Sequence, residues 1–229
     1  MKSLQQLAPR RLDALPFVDI ELPKEKAMAR VPLTVESVNP GTTILNVESV
    51  GFTPKQFVRL CHDNPDLRLE LTARKEIVIM PPAHSETGWK EGDIYFQLRL
   101  WTEKDATGMA FGPNAGFTLP NGAVRSPDAS WIRRERWDAL TQRQKRSFAP
   151  ICPDFIVELR SVSDTVAALK EKMSEYIAND AQLGWLIDPF EHEVHVYQPS
   201  QPPQQLNHPM SIPADPVLPG FVLDLAKIW

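Results

Sequence analysis

The segment Asp154-Phe-Ile-Val-Glu-Leu-Arg160 constrains this chain's fold more than any other stretch. Side chains alternate faces along a strand, so Phe155, Val157 and Leu159 share one face while Asp154, Ile156, Glu158 and Arg160 share the other. The first face is wholly apolar and suits packing beneath a helix. The second carries three charged groups around one isoleucine, on a strand otherwise apolar enough to be central. Burying an unpaired charge is strongly unfavourable, so such a face needs either counter-charges or a metal ion. The segment therefore predicts both a central strand and a chemical site.

The flanking pattern predicts what surrounds that strand. Thr53 reads as an N-cap with Pro54 at the first helical position, opening a helix through Leu60. Leu67–Leu71 and Glu76–Met80 read as strands joined by a polar turn. From Glu86 to Lys104 the period becomes helical, with Ile94, Leu98 and Trp101 on one face. Gly108–Gly122 reads as one bent strand or hairpin, Asp128–Ile132 as a short strand, and Arg133–Arg146 as a charged, partly helical run. Ser163 and Asp164 are expected to open a helix to about Asn179, its apolar stripe formed by Leu169, Met173, Tyr176 and Ile177. Gly184–Asp188 and Glu193–Tyr197 read as strands. Between Pro199 and Pro219 lie seven prolines, which predicts a loop without regular structure, followed by an apolar anchor from Phe221 to Trp229. The order is mixed α and β around a central sheet, an α/β (α+β) class. Residues 1–41, proline-rich and mixed in charge, are expected to form an N-terminal arm, and 42–229 the domain.

Composition excludes little. The chain of 229 residues is long enough for one sizeable core. Cys61 and Cys152 lack metal-ligand spacing and read as reduced thiols in a cytoplasmic protein. No apolar run approaches the ~20 residues of a membrane span. The net charge of −4 counts against a protein that coats nucleic acid by bulk electrostatics, yet not against a nuclease, whose cation site is itself acidic.

Geometry limits which acids can cooperate with Glu158. Asp154 lies four residues away, roughly 13 Å along an extended strand at ~3.3 Å per residue. That is too far for two carboxylates to share one ion without bending the strand. A partner should come from a neighbouring strand, and Asp128, which follows Pro127 at a strand start, is the best placed. Glu86 and Glu70 are further candidates, with Glu86 preferred because it opens the helix expected to pack nearest.

Pro127-Asp128 and, thirty residues on, Glu158-Leu-Arg160 resemble the PD-(D/E)xK nuclease pattern. A closer resemblance runs through Pro153-Asp-Phe-Ile-Val-Glu-Leu-Arg-Ser-Val-Ser-Asp164, Glu171-Lys-Met-Ser-Glu-Tyr176 and Gly184-Trp-Leu-Ile-Asp-Pro189. With Ile79-Met-Pro-Pro82, Glu86-Thr-Gly88, Phe117-Thr-Leu-Pro-Asn-Gly122 and Arg125-Ser-Pro-Asp128, these segments resemble the Uma-two restriction-endonuclease family over about 45–229. The resemblance implies a restriction-endonuclease-like fold, a central mixed β-sheet flanked by helices, that cleaves DNA with Mg²⁺ or Mn²⁺. It implies Asp128 and Glu158 as metal ligands, Glu86 as a possible third, and a lysine serving the attacking water. Two departures stand out. Arg160 occupies the superfamily's lysine position and cannot act as a base, though it remains a catalytic candidate for stabilising charge on the phosphoryl oxygens, and Val162 replaces a proline usual in the family. The lysine in this family sits on the following helix, where Lys172 matches the pattern, and a helix folded back along the strand would bring it toward Glu158.

Other features have plainer readings beside functional ones. Asp154 suits either an accessory role or a structural pairing with Arg160. Arg133, Arg134 and Arg136, in a run with six basic and two acidic residues among fourteen, suit DNA-backbone contact or a solvated face. A homodimer is expected by analogy with nucleases that cut both strands, with Phe221 and Trp229 as apolar material. The alternative to an active nuclease is a module that keeps the fold and binds nucleic acid without cutting it.

Overall fold

A computed structural model describes the backbone of residues 35–39 and all of residues 42–229. The rest of the expected N-terminal arm lies outside the described residues. The first half of the chain forms β1 (Val35–Asn39), β2 (Thr42–Asn46), α1 (Pro54–Asp63), β3 (Arg68–Leu71), β4 (Glu76–Met80), α2 (Ser85–Asp105) and β5 (Gly108–Phe111). Then follow β6 (Phe117–Thr118), β7 (Val124–Arg125), β8 (Ala129–Arg133), α3 (Arg134–Asp138) and α4 (Gln142–Lys145). The remainder comprises β9 (Phe155–Leu159), α5 (Val166–Ala178), β10 (Leu183–Asp188), β11 (Glu193–Tyr197), β12 (Gln204–Asn207), β13 (Ser211–Pro213) and β14 (Val222–Asp224).

These strands build two six-stranded sheets and a small hairpin of β13 and β14. One sheet runs β1-β2-β4-β3-β7-β6 and is antiparallel at every pairing. The other runs β12-β11-β10-β9-β8-β5 and is mixed, because β9 and β10 are parallel while their neighbours are antiparallel. Parallel neighbours need a crossover, and α5 supplies it. The central strand β9 is buried along its whole length.

Strand parity decides which layer covers which face. Phe155, Val157 and Leu159 pack with Ile94 and Leu98 of α2 and with Phe221, Leu223 and Leu225 from the C-terminal segment. On the opposite face Ile156 packs with Leu169, Met173 and Tyr176 of α5 and with Leu186 of β10. Each fully buried side chain of this size stabilises the fold by roughly 1.5–3 kcal/mol. Gly108 is required where β5 joins this sheet: a Cβ there would stand 2.2 Å from the Trp131 ring and 2.5 Å from the Ile132 carbonyl oxygen. A third cluster, with Phe57 of α1 against Leu71 and Ile77, fixes the antiparallel sheet.

The Thr53 cap forms as expected, as a capping box with Gln56. Four expectations need correction. The Gly108–Gly122 stretch is not one hairpin; β5 joins the mixed sheet and β6 the antiparallel one, so the segment links the two. Helix α5 is capped by Thr165, while the Asp164 carboxylate accepts from the backbone and hydroxyl of Ser161. The proline-rich stretch after Pro199 contains β12 and β13. β12 is an exposed polar edge strand on β11, so it lacks the alternation that marks a half-buried strand. Phe221, expected as interface material, stacks on Trp185 inside the core, with ring centroids 6.1 Å apart.

Candidate active site

Helix α5 points Lys172 down onto β9. Its Nζ lies 2.9 Å from Glu158 Oε1 and 2.9 Å from Glu70 Oε1, joining the two sheets through one ammonium. One helical turn on, Tyr176 presents its hydroxyl from the same face and donates to Glu158 Oε1 at 2.8 Å. Both contacts fall on Oε1, so the second oxygen of Glu158 carries neither. Glu70, on β3, is held further by Arg125 Nη1 at 3.0 Å and the Ser126 amide at 3.0 Å. Arg125 in turn donates through Nε to Glu175, at 2.6 Å.

Asp128 immediately precedes β8, and the pairing of Ala129 with Val157 sets it beside Glu158 across the two strands. Its Oδ2 accepts from the Leu159 amide at 2.7 Å and its Oδ1 from Arg68 Nη2 at 3.2 Å. Asp128, Glu158 and Glu70 are all buried. Asp128 and Glu158, the pair expected from neighbouring strands, therefore lie together, and Lys172 faces Glu158.

Burial and shortage of cations set the charges. Burial pushes Glu158 up to about 8, reinforced by Asp128 and Glu70 and opposed by Lys172. Burial likewise pushes Asp128 to about 6, with the field of Glu91 adding to it against Lys172, the Leu159 amide and Arg68. Glu70 is also desolvated, yet Lys172 and Arg125 outweigh burial and hold it down at about 2. Burial would discharge Lys172, but Glu158 and Glu70 overcome it and raise its pKa, so it stays an ammonium. One cation cannot satisfy two carboxylates equally. Glu70, with Arg125 as a second partner, keeps its charge, and Glu158 is left short.

The other expected residues are placed elsewhere. Glu86 is on the exposed side of α2, paired with Lys90 at 2.9 Å. Asp154, at the far end of β9, accepts from the Arg133 amide and pairs with Arg136 Nη1, each at 2.9 Å. Its partners are thus Arg133 and Arg136, and not Arg160. Arg160 binds Asp188 at 2.7 Å and lies over the Phe190 ring at 5.2 Å. Arg134 donates to the carbonyls of Ala106 and Gly108. The Arg133–Arg136 group therefore sits with Asp154, away from Lys172 and Glu158.

Four neighbours of the centre were not singled out from sequence. Glu91 is buried on α2, its pKa raised by burial and by the fields of Glu158 and Asp164 against that of Arg68. Its signal was present: positions 91, 94 and 98 share one helical face, so a carboxylate interrupts an apolar stripe. Tyr176 was read as part of the α5 apolar stripe, and its spacing of four from Lys172 marks the shared face. Arg68 and Arg125 sit on short strands, where nothing local distinguishes them from surface arginines.

Among the described residues, no three Asp, Glu, His or Cys side chains form a ready-made cage for a metal ion. The donor chemistry nevertheless fits a hard divalent cation. Among the described residues, the buried acids Glu70, Glu91, Asp128 and Glu158 are matched by Arg68, Arg125 and Lys172 alone. Burial first, and neighbouring acids second, hold Asp128 and Glu158 above the ordinary carboxylate range. Both offer the oxygen ligands that Mg²⁺ or Mn²⁺ takes.

The Uma2 family model, described as "Putative restriction endonuclease", matches residues 54–226. No curated protein matches the sequence. Among solved structures, the chain is similar to a crystal structure of a putative nuclease belonging to DUF820 from Anabaena variabilis. The TM-score is 0.60 at 19% identity, covering 70% of this chain and 88% of that one. At that identity the likeness shows a shared fold. No helix among the described residues is long and apolar enough to cross a membrane.

Proposed function

Because the chain belongs to the Uma2 family, we propose that it hydrolyses phosphodiester bonds in DNA at the Glu158–Asp128–Lys172 centre. The observation that supports this most is the 2.9 Å approach of Lys172 to Glu158, from a helix onto a buried strand beside a second acid. Asp128 and Glu158 would hold the divalent ion, with Glu91, rather than Glu86, as the acid that α2 supplies. Mg²⁺ or Mn²⁺ in such a site lowers the pKa of a water and offsets charge on the phosphoryl oxygens.

Every other task falls to the chain's own groups. Lys172 remains an ammonium, so its Nζ donates, either to orient the attacking water or to stabilise charge on a phosphoryl oxygen. It is not a base. Glu70 and Tyr176 fix the two ends of its reach, Glu70 through Nζ itself and Tyr176 through Glu158. The net reaction adds one water across a phosphorus–oxygen ester bond and yields a phosphate monoester and a hydroxyl. Two copies, each cutting one strand, and a cytoplasmic setting complete the reading.

One observation favours a fold that binds DNA without cutting it: both oxygens of Asp128 are already used within the protein. Plasmid cleavage in Mg²⁺ or Mn²⁺ decides between the two. Wild-type protein should nick or linearise the plasmid and Glu158→Ala should not. Equal cutting by both proteins would assign the activity to a contaminant.

A further inference from the structure

We propose that the cleft between α1, the β5–β6 connection and α4 binds an unpaired nucleobase of the DNA strand, beside the centre where that strand is cut. The proposal rests on the phosphodiesterase reading above and sharpens its substrate class to DNA with at least one nucleotide out of its pair.

The cleft is a cavity of about 520 Å³, within the range of ligand sites. Phe111, Trp137 and Phe148 line it, and the rings of Phe111 and Trp137 stand 4.9 Å apart. Gly116 is part of its design: a Cβ there would come within 2.4 Å of the Phe148 ring. The rim carries His62, beside Asp63 at 3.2 Å, Lys145, which pairs with Asp138 at 3.6 Å and sits 5.4 Å from the Trp137 ring centre, and Arg146, which has no acidic partner among the described residues. No acidic side chain of the described residues lines the cavity, in a chain whose net charge is −4. Flat aromatic walls beneath a cationic rim match a base and its phosphate, the pairing found where proteins hold single strands. A base stacked inside a duplex cannot enter such a cavity, so the ligand must be unpaired or turned out of the helix.

Position joins this cavity to the chemistry. A second cavity of about 480 Å³ shares Cys61, Asn114 and Phe148 with it as walls, and extends to Arg68, Glu91 and Ser126. Arg68 is the residue that holds Asp128, and its Nε is buried without a hydrogen-bond partner among the described residues. A strand whose base enters the aromatic cavity would run its backbone toward that donor and the carboxylates behind it.

The test uses the full chain and three fluorescent DNA probes: a duplex, the same duplex with one bulged nucleotide, and its single strand. Anisotropy is read in EDTA and cleavage in Mg²⁺. Wild type should bind the bulged and single-stranded probes at least tenfold more tightly than the duplex. Trp137→Leu should weaken single-strand binding about 5- to 100-fold, the range for one lost stacking contact, and Trp137→Phe should recover most of it. Arg146→Glu, on the exposed rim, should weaken binding and flatten its salt dependence, and it decides the matter if Trp137→Leu does not fold. If wild type cuts DNA but binds all three probes alike, or if Arg146→Glu and the Trp137 variants bind as wild type does, the base pocket is refuted and the phosphodiesterase reading stands. If folded wild type neither binds nor cuts any probe, both fall.

Discussion

Lys172 and Glu158 meet at 2.9 Å, although one lies on a helix and the other on the strand beneath it; Glu158 is buried and Lys172 largely so. The contact is shared with Glu70 across the boundary between the two sheets. Stability and chemistry therefore depend on the same ammonium. Replacing Lys172 by Met leaves Glu158 without its cation and Glu70 with Arg125 alone, and breaking a buried pair in this way costs about 3–5 kcal/mol. Lys172→Met should therefore unfold at markedly lower urea concentration and lose cleavage. The double variant Lys172→Met/Glu158→Gln should recover part of the stability and none of the activity. A double variant no more stable than Lys172→Met would show that the pair is not coupled.

The raised pKa of Glu158 predicts how stability depends on pH. Folding favours the protonated acid, so its contribution is full below the ordinary value of 4.5 and is lost as pH rises toward about 8. Asp128 follows the same sign over a lower window, up to about 6. Glu70 has the opposite sign: its contribution is present above 4.5 and lost as pH falls to about 2. Glu158→Gln removes only the first of these titrations. The stability of wild type relative to Glu158→Gln should therefore decline between pH 5 and 8, by at most ~1.4 kcal/mol per pH unit for one proton. Denaturant melts at several pH values measure it, and a flat difference would mean that Glu158 is ionised throughout.

The two glutamates of α2 separate by burial. Glu91 faces the carboxylate centre while Glu86 pairs with Lys90 at the surface. Glu91→Gln should lower kcat by tenfold or more, on the scale of about 1.4 kcal/mol per factor of ten. Glu86→Gln should leave kcat and folding near wild type, as exposed ion pairs contribute little. The reverse order of effects would return the third acid to Glu86.

Much of this arrangement was legible because it follows from strand parity. Alternation along 154–160 separates Glu158 from the Phe155 face, and extended-chain length separates it from Asp154; the structure keeps both distinctions. The position of Asp128 followed from needing a neighbouring strand. Lys172 was legible only by resemblance, since one lysine on an otherwise charged helix carries no local mark. What stayed hidden depends on tertiary pairing. Glu70 and Arg125 lie in the antiparallel sheet, and their approach to α5 needs the relative placement of two sheets that no periodicity encodes. β12 was missed because an exposed edge strand obeys no burial pattern, and Asp154 found Arg136 because α3 turns back beside the start of β9.

Divalent ion binding should be linked to proton release. At pH 7, below the value of about 8 that burial imposes on it, Glu158 is mostly protonated without metal, and only the carboxylate is a ligand. Mg²⁺ or Mn²⁺ binding should then expel close to one proton at pH 7 and fewer near pH 9. Titration calorimetry in buffers of differing ionisation enthalpy counts these protons directly, without reference to catalysis. Affinity should tighten as pH rises toward 8, and excess ion should raise the melting temperature of wild type by mass action. Asp128→Asn and Glu158→Gln should each remove that rise. Binding without proton release, or a melting rise that persists in both variants, would place the ion away from these carboxylates.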